Sequence, residues 1–292
     1  MASAGATGIG GIIFWQAHRG GGGFERPDNT LISARYGWEL GGIAEFDIRR
    51  TADGQIVCLH DPTLRRTTNA PDEIADIPIT ELRYEQFAGL DAGKKFSPEF
   101  SGAWVPLLSE VFAEMAADPG KRAYLDLKNI DLGQLAGMIA EYGLEGRAWV
   151  AGPRRPELVE LNRLLPSVDT MQWLGGTRTE ILAKFGESAA EGFRGLAQVQ
   201  FHLNDKAAPA SGASPGWRYE IEAADLAAAL ARCRSAGVDL EVFPWKFDEA
   251  DILALLGLGI RWFATDEPAR FSAAARKWLS LNGCIARETP HE

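Results

Sequence analysis

Along most of the chain, short runs rich in β-branched and aromatic residues alternate with longer stretches whose apolar positions recur at helical spacing. The strand-like runs are Ile12–Ala17, Ile43–Ile48, Gln55–His60, Ala123–Lys128, Ala148–Gly152, Val168–Trp173, Ala197–Leu203, Asp239–Pro244 and Ile260–Thr265. Between them lie helix candidates at Thr30–Leu40, Pro106–Ala117, Leu132–Tyr142, Pro156–Leu164, Thr179–Glu191, Ala223–Ala236 and Glu249–Leu256, several with a polar cap and a trailing Gly. Strand-then-helix alternation predicts a parallel sheet with crossover helices. The expected fold class is therefore α/β, a TIM (β/α)8 barrel, with residues 1–292 forming a single domain.

Nine strand-like runs are one more than an eight-stranded barrel takes, and the expectation is that Ala197–Leu203 or its neighbour is the peripheral one. The rival is an open doubly wound sheet. No Gly-x-Gly-x-x-Gly follows the first strand to support it, only the run Gly20–Gly23. Residues 61–105 are polar and rich in turn residues, which predicts a small inserted cap after the third strand. Long loops in compact domains usually serve function. A second loop, Asn204–Trp217, is rich in Ala, Pro, Ser and Gly and carries no assignable chemistry.

Composition narrows the function classes. With 292 residues, 46% of them hydrophobic, and a mean hydropathy of −0.13, the chain reads as globular with a sizeable core. Thirty Lys and Arg against forty Asp and Glu give a net charge of −10, which argues against gripping nucleic acid or an anionic membrane surface. A small-molecule partner is expected. Cys58, Cys233 and Cys284 are too few and too scattered for a disulfide framework or a cysteine zinc site. Neither a secretory signal nor a membrane span is visible, so the reading is a cytoplasmic enzyme, with the oligomeric state left open.

The chemistry gathers at the ends of the first four strand candidates: His18 and Arg19, Glu45 and Asp47, His60 and Asp61, Asp126 and Lys128. Active sites of barrels sit at that edge. Residues two apart on a strand share a face, so Glu45 points with Asp47 and Asp126 with Lys128. Three converging carboxylates suit a hard divalent cation, Mg²⁺ or Ca²⁺, with Mn²⁺ a further candidate. Two histidines near working pH suit general acid and general base roles, and Arg19 and Lys128 add charge where a phosphate needs neutralising. Against this stand plainer roles. Glu45 and Asp47 can pair with Arg19, Arg49 or Lys128, Asp61 can cap a turn rather than orient His60, and Arg65 and Arg66 can fasten the insertion to the barrel. His202 reads as rim packing and His291 as tail.

The motifs His18-Arg19-Gly20, Pro27-Asp28-Asn29-Thr30, Glu45-Phe46-Asp47, His60-Asp61-Pro62-Thr63-Leu64-Arg65-Arg66-Thr67-Thr68 and Leu125-Asp126-Leu127-Lys128 follow one another in order. Together with Leu90-Asp91-Ala92-Gly93, Val105–Val111 and the late Thr265-Asp266-Glu267-Pro268, they make the chain resemble the glycerophosphodiester phosphodiesterase family. The resemblance implies a TIM barrel with an insertion after the third strand and a metal-dependent hydrolysis of a phosphodiester. A glycerophosphodiester of the glycerophosphocholine or glycerophosphoethanolamine type would give sn-glycerol 3-phosphate and an alcohol. It places the catalytic histidines at His18 and His60, the metal carboxylates at Glu45, Asp47 and Asp126, and the phosphate contacts at Arg19 and Lys128.

This chain departs from the family pattern in places. Asp28 and Asp126 stand where Glu is usual or common, and Trp245-Lys246-Phe247-Asp248 stands where Trp-Thr-x-Asn is usual. Trp245 remains as a packing surface for the glycerol or leaving-group side, and the changed neighbours, with the Gly20–Gly23 loop, point to altered leaving-group specificity. A lysophospholipid substrate is the alternative. Further off are an aldolase using Lys128 as a Schiff-base nucleophile and a binder without catalysis.

Overall fold

The computed structural model describes residues 12–21, 23–207 and 216–282. Cys284, His291, Gly22, the start of the chain up to residue 11 and residues 208–215 of the loop Asn204–Trp217 lie outside them. Two compact units are distinguished. One comprises Gln16–Thr170 and Asp266–Pro268, and the other Met1–Trp15, Met171–Thr265 and Ala269–Glu292.

The strands are β1 (Phe14–Ala17), β2 (Ile43–Arg50), β3 (Ile56–Cys58), β4 (Ala123–Asn129), β5 (Ala148–Gly152), β6 (Asp169–Leu174), β7 (Gln198–Leu203), β8 (Asp239–Pro244) and β9 (Trp262–Thr265). The helices are α1 (Leu31–Glu39), the short α2 (Asp72–Ala75), α3 (Leu108–Ala117), α4 (Leu132–Glu141), α5 (Arg155–Leu164), α6 (Arg178–Ala190), α7 (Ala223–Ala236), α8 (Glu249–Gly257) and α9 (Pro268–Leu281). Among the described residues, the strand pairs that do not involve β3 are parallel, and each strand other than β3 is followed in the chain by a helix, with β3 and α2 intervening after β2. The fold is a TIM barrel.

In the first unit β2 is central. It pairs in parallel with β1 and β4, β4 pairs with β5, and β3 runs antiparallel against the far end of β2. Ala44, Phe46 and Ile48 on β2 and Tyr124 and Leu125 on β4 are fully buried, as expected of parallel strands covered on both faces. Helices α3 and α4 contribute Val111, Phe112, Met115, Leu135 and Ile139 to the same core. In the second unit β6, β7, β8 and β9 pair in parallel in that order.

Two sequence expectations are corrected here. The run Ala197–Leu203 is no peripheral strand, because β7 pairs in parallel with both β6 and β8. The extra strand is the one at Gln55–His60, shortened to the three residues of β3 and paired antiparallel with Ile48, Arg49 and Arg50. Ile56–Cys58 is a continuous apolar, buried run, as a parallel barrel strand is, so the hydrophobic pattern could not separate the two.

The segment after β3 builds a small core of its own. Leu59, Leu64, Ile79, Leu82, Phe87, Ala92 and Val105 pack with Val57 of β3. It contains α2 and three single-turn 3₁₀ helices, short elements whose hydrogen bonds alone would not order them. Apolar burial onto β3 holds them in place.

Candidate active site

The site assembles within the first unit, on β2 and β4. Asp47 stands opposite Asp126 in the parallel register, and Glu45 opposite Tyr124. Period-two alternation sends Glu45 and Asp47 to one face. Ligand oxygens of Glu45, Asp47 and Asp126 all lie within 4.8 Å of one another, and all three residues are buried. Asp126, one methylene shorter than Glu, still reaches the cluster.

Three buried carboxylates so close cannot all be charged without compensation. Lys128 Nζ lies 2.6 Å from Asp126 Oδ2 and 3.0 Å from Asp47 Oδ1, and Arg19 Nε lies 3.7 Å from Asp47 Oδ2. Burial alone would raise the Asp47 pKa, but the charges of Lys128, His60, His18 and Arg19 outweigh it and bring it down to about 2. Glu45 is pushed up to about 8, by burial first and the Asp47 charge second. Its Oε2 accepts from the Arg19 amide at 2.6 Å. Arg19 and Lys128 thus offset two carboxylates, and the third stays costly to ionise. An all-oxygen, anionic, buried donor set of this kind fits a hard divalent cation. Lys128 is itself held charged: burial would lower its pKa, but Asp47 and Asp126 raise it well above the ordinary value.

The two histidines carry matching supports. His18 follows β1, in a turn where Gly20 N donates to Ala17 O at 2.9 Å and Arg19 takes a left-handed φ of 54°. Its Nδ1 is 2.7 Å from Asp266 Oδ1. His60 Nδ1 is 2.7 Å from Asp61 Oδ1. An ionised carboxylate only accepts, so each Nδ1 carries the proton and each neutral ring keeps Nε2 as its basic atom. Burial of the His18 ring disfavours its charged form, but Asp266 and Glu45 outweigh burial and raise its pKa.

His60 reaches the site by a route the sequence reading did not foresee. Because β3 returns antiparallel along β2, Leu59 N donates to Asp47 O at 2.8 Å, and the next residue arrives beside the carboxylates. Arg49 then fixes the His60 carbonyl with two N–H donors, at 2.6 and 3.0 Å. Arg49 thereby serves the His60 backbone, which the ion-pair reading of Arg49 had not considered.

The Pro27–Thr30 motif is the scaffold beneath. Thr30 caps α1 and exchanges hydrogen bonds with Ser33, a capping box. Asn29, at φ 55°, donates from Nδ2 to Asp47 Oδ2 at 2.9 Å and accepts at Oδ1 from the Asp47 amide at 2.8 Å. Asp28 accepts from Arg19 Nη1 at 2.9 Å and from Arg66 Nη1 at 2.8 Å. Gly20 seats the first loop on α1. Its φ is +81°, and a Cβ there would lie 2.6 Å from Ser33 Oγ.

His18, Arg19, Glu45, Asp47, His60, Asp126 and Lys128 are thus all in one unit. Trp245 belongs to the other, where it packs against Phe243 at 4.1 Å and His202 at 5.2 Å between ring centroids and stays 38% exposed. His202 stacks on Trp173 at 5.1 Å and donates from Nε2 to Gln200 Oε1, 3.0 Å away. Asp61 orients the His60 ring. Arg65 pairs with Asp72 and Asp76 inside the inserted segment, so of the two arginines only Arg66 reaches outside it. Asp266 and Asn29 had no assigned role in the sequence reading, though both stand in recognisable motifs. A carboxylate or amide beside a charged strand end was the available signal.

Comparison with known proteins bears on this arrangement. Residues 18–132 match the glycerophosphoryl diester phosphodiesterase family. The chain is 34% identical over 158 residues to a glycerophosphodiester phosphodiesterase of Caldanaerobacter subterraneus, covering 51% of this chain and 62% of that protein. It is 27% identical over 184 residues to one from Bacillus subtilis, covering 56% and 59%. The chain thus spans about six tenths of the length of these curated relatives. A solved structure of an Oleispira antarctica phosphodiesterase in complex with the product sn-glycerol-3-phosphate superposes with a TM-score of 0.68 at 21% identity, covering 91% of this chain and 97% of that one. That likeness shows the barrel, and among the described residues no helix is long and apolar enough to cross a membrane. On the matched motifs and relatives, residues 18–132 carry the pattern of the glycerophosphoryl diester phosphodiesterase family.

Proposed function

We propose that this protein hydrolyses a glycerophosphodiester, of the glycerophosphocholine or glycerophosphoethanolamine type, to sn-glycerol 3-phosphate and an alcohol. The observation that carries the reading is one cluster: three buried carboxylates within 4.8 Å, flanked by two imidazoles that are each held at Nδ1 by an aspartate. The product bound to the Oleispira antarctica relative supports glycerol 3-phosphate as the retained half.

Glu45, Asp47 and Asp126 would hold a divalent cation, Mg²⁺, Ca²⁺ or Mn²⁺, which when bound neutralises non-bridging phosphate oxygens. Arg19 and Lys128, both kept charged by their carboxylate neighbours, bind the phosphate and favour the charge that develops on it. His18 and His60 divide the proton transfers. One Nε2 takes the proton of the attacking hydroxyl or water, and the other, protonated, supplies the leaving alkoxide. Trp245 and its altered neighbours Lys246, Phe247 and Asp248 are in this reading the candidates for setting which alcohol is preferred. Nothing in the scheme calls on Lys128 as a nucleophile, since its ammonium is held protonated between Asp47 and Asp126.

The test is phosphomonoester release from a panel of glycerophosphodiesters and lysophospholipids by EDTA-treated protein, with each cation restored in turn. Metal-dependent release of glycerol 3-phosphate supports the reading. Turnover of lysophospholipids alone moves the substrate class, and no turnover of any diester by folded, metal-loaded protein overturns it.

A further inference from the structure

One side chain in the inserted segment touches the supports of two reacting groups at once. Arg66 donates from Nε to Asp61 Oδ2 at 2.6 Å and from Nη2 to Asp61 Oδ1 at 3.1 Å, a two-point grip. Its remaining nitrogen, Nη1, donates to Asp28 Oδ2 at 2.8 Å. Asp61 is the carboxylate on His60 Nδ1, at 2.7 Å, and Asp28 is the carboxylate on Arg19 Nη1, at 2.9 Å. A planar guanidinium fixes the angles of its donors, and an ammonium does not.

We infer that Arg66 is a positioning residue that holds His60 and Arg19 in one frame, so that the acid–base imidazole and the phosphate-binding guanidinium approach the same phosphate. The inference rests on the function proposed above. The chain of contacts runs His60–Asp61–Arg66–Asp28–Arg19 and crosses from the inserted segment to the loop after β1. Both carboxylates would otherwise be free to turn. Asp61 could offer its oxygens to solvent and release the imidazole, and Asp28, the shorter residue at a position where the family usually has Glu, could drop Arg19. Arg66 is half-exposed, so its role is not to fill the core.

Arg65 is the internal control. It makes similar ion pairs with Asp72 and Asp76, but entirely inside the inserted segment. If the arginines merely fasten that segment, R65M and R66M will behave alike. If Arg66 positions the site, they will not.

The experiment compares R65M, R66M and R66K in metal-loaded protein. R65M is expected to keep kcat and KM. R66M is expected to lose kcat by ~10- to ~100-fold through His60 and to raise KM several-fold through Arg19, the scale of losing charge-assisted hydrogen bonds. Guanidinium ion at millimolar concentration should restore a good part of the R66M rate, and R66K should recover less than guanidinium does. Independently of turnover, ¹⁵N NMR of the ring nitrogens should show His60 as a single Nδ1–H tautomer in wild type and R65M, and a mixture in R66M. Wild-type-like kcat with an unchanged His60 tautomer in R66M overturns the inference. So does a loss of activity in R65M equal to that in R66M. Absence of turnover in the wild type would count against the proposed function, while the tautomer comparison would still decide the role of Arg66. Should R66M fail to fold, R66K carries the same two readouts, and full activity with a single tautomer there overturns the inference equally.

Discussion

Asp266→Asn separates the charge of the His18 support from its shape. The aspartate sits at 2.7 Å from His18 Nδ1, in a pair whose side chains are mostly buried. A hydrogen bond to a charged partner contributes about 1.5–3 kcal/mol, and at 1.36 kcal/mol per tenfold this corresponds to ~10- to ~150-fold in kcat/KM if the imidazolium forms in the transition state. The pH dependence has a definite sign. Burial lowers the His18 pKa, Asp266 and Glu45 raise it, and the balance lies above the ordinary value of 6.5. The folded state therefore favours the protonated ring. The pair's stabilisation is fully present below pH 6.5 and is lost as the pH rises through the raised native value. Denaturant melts of wild type and D266N, read from pH 5 to pH 9, should differ most at the acid end and converge at the alkaline end. In the rate profile of kcat/KM, the limb belonging to His18 should move to lower pH in D266N. An unshifted limb with kcat/KM within twofold of wild type would refute the reasoning, because it would mean that Asp266 neither holds nor charges the ring.

Other outcomes follow from the same geometry. His18→Ala and His60→Ala should each lose at least ~100-fold in kcat with the fold retained by circular dichroism, the range of general acid–base catalysis. Glu45, raised to about 8 against an ordinary 4.5, makes the EDTA-treated protein lose stability as pH rises from 4.5 through 8, since the folded state binds the extra proton. Added Mg²⁺ or Ca²⁺ should then raise Tm more at pH 8 than at pH 5, and Glu45→Gln should abolish both effects. Phe46→Ala, which empties a fully buried site on β2, should cost about 3–5 kcal/mol in denaturant unfolding. Gly20→Ala should cost at least about 1–2 kcal/mol for its left-handed backbone alone, with more from the overlap with Ser33 Oγ, and should lower activity by displacing Arg19.

Much of the barrel was legible because parallel strands announce themselves. Ala148–Gly152 and Asp239–Pro244 end where their apolar runs end, and Ala223–Ala236 runs from its acidic N-cap, Glu222, to a left-handed Gly237. Less legible was β3, whose three apolar, buried residues read like a barrel strand but pair backward. The difference lies in the tight return over Thr51–Gln55, which periodicity does not weigh. Helix α9 escaped because half of its apolar positions are alanine, which marks neither a core face nor a break. In the site, charged residues at strand ends stood out because unpartnered charge there would be costly. Asn29 and Asp266 did not, because an amide in a turn and an acid after a strand are also ordinary caps. Their roles depend on residues 18 and 248 positions away, at Asp47 and His18. Only the folded chain brings those together.

The most direct test of the account is enzymatic release of sn-glycerol 3-phosphate from glycerophosphocholine and glycerophosphoethanolamine by EDTA-treated protein, before and after restoring Mg²⁺, Ca²⁺ or Mn²⁺. The account expects turnover that appears with the cation and is lost in Asp47→Asn, since Asp47 joins the acidic cluster to Asn29, Lys128 and Arg19. Equal release with and without cation, or no release of glycerol 3-phosphate from any diester by folded protein, would contradict it.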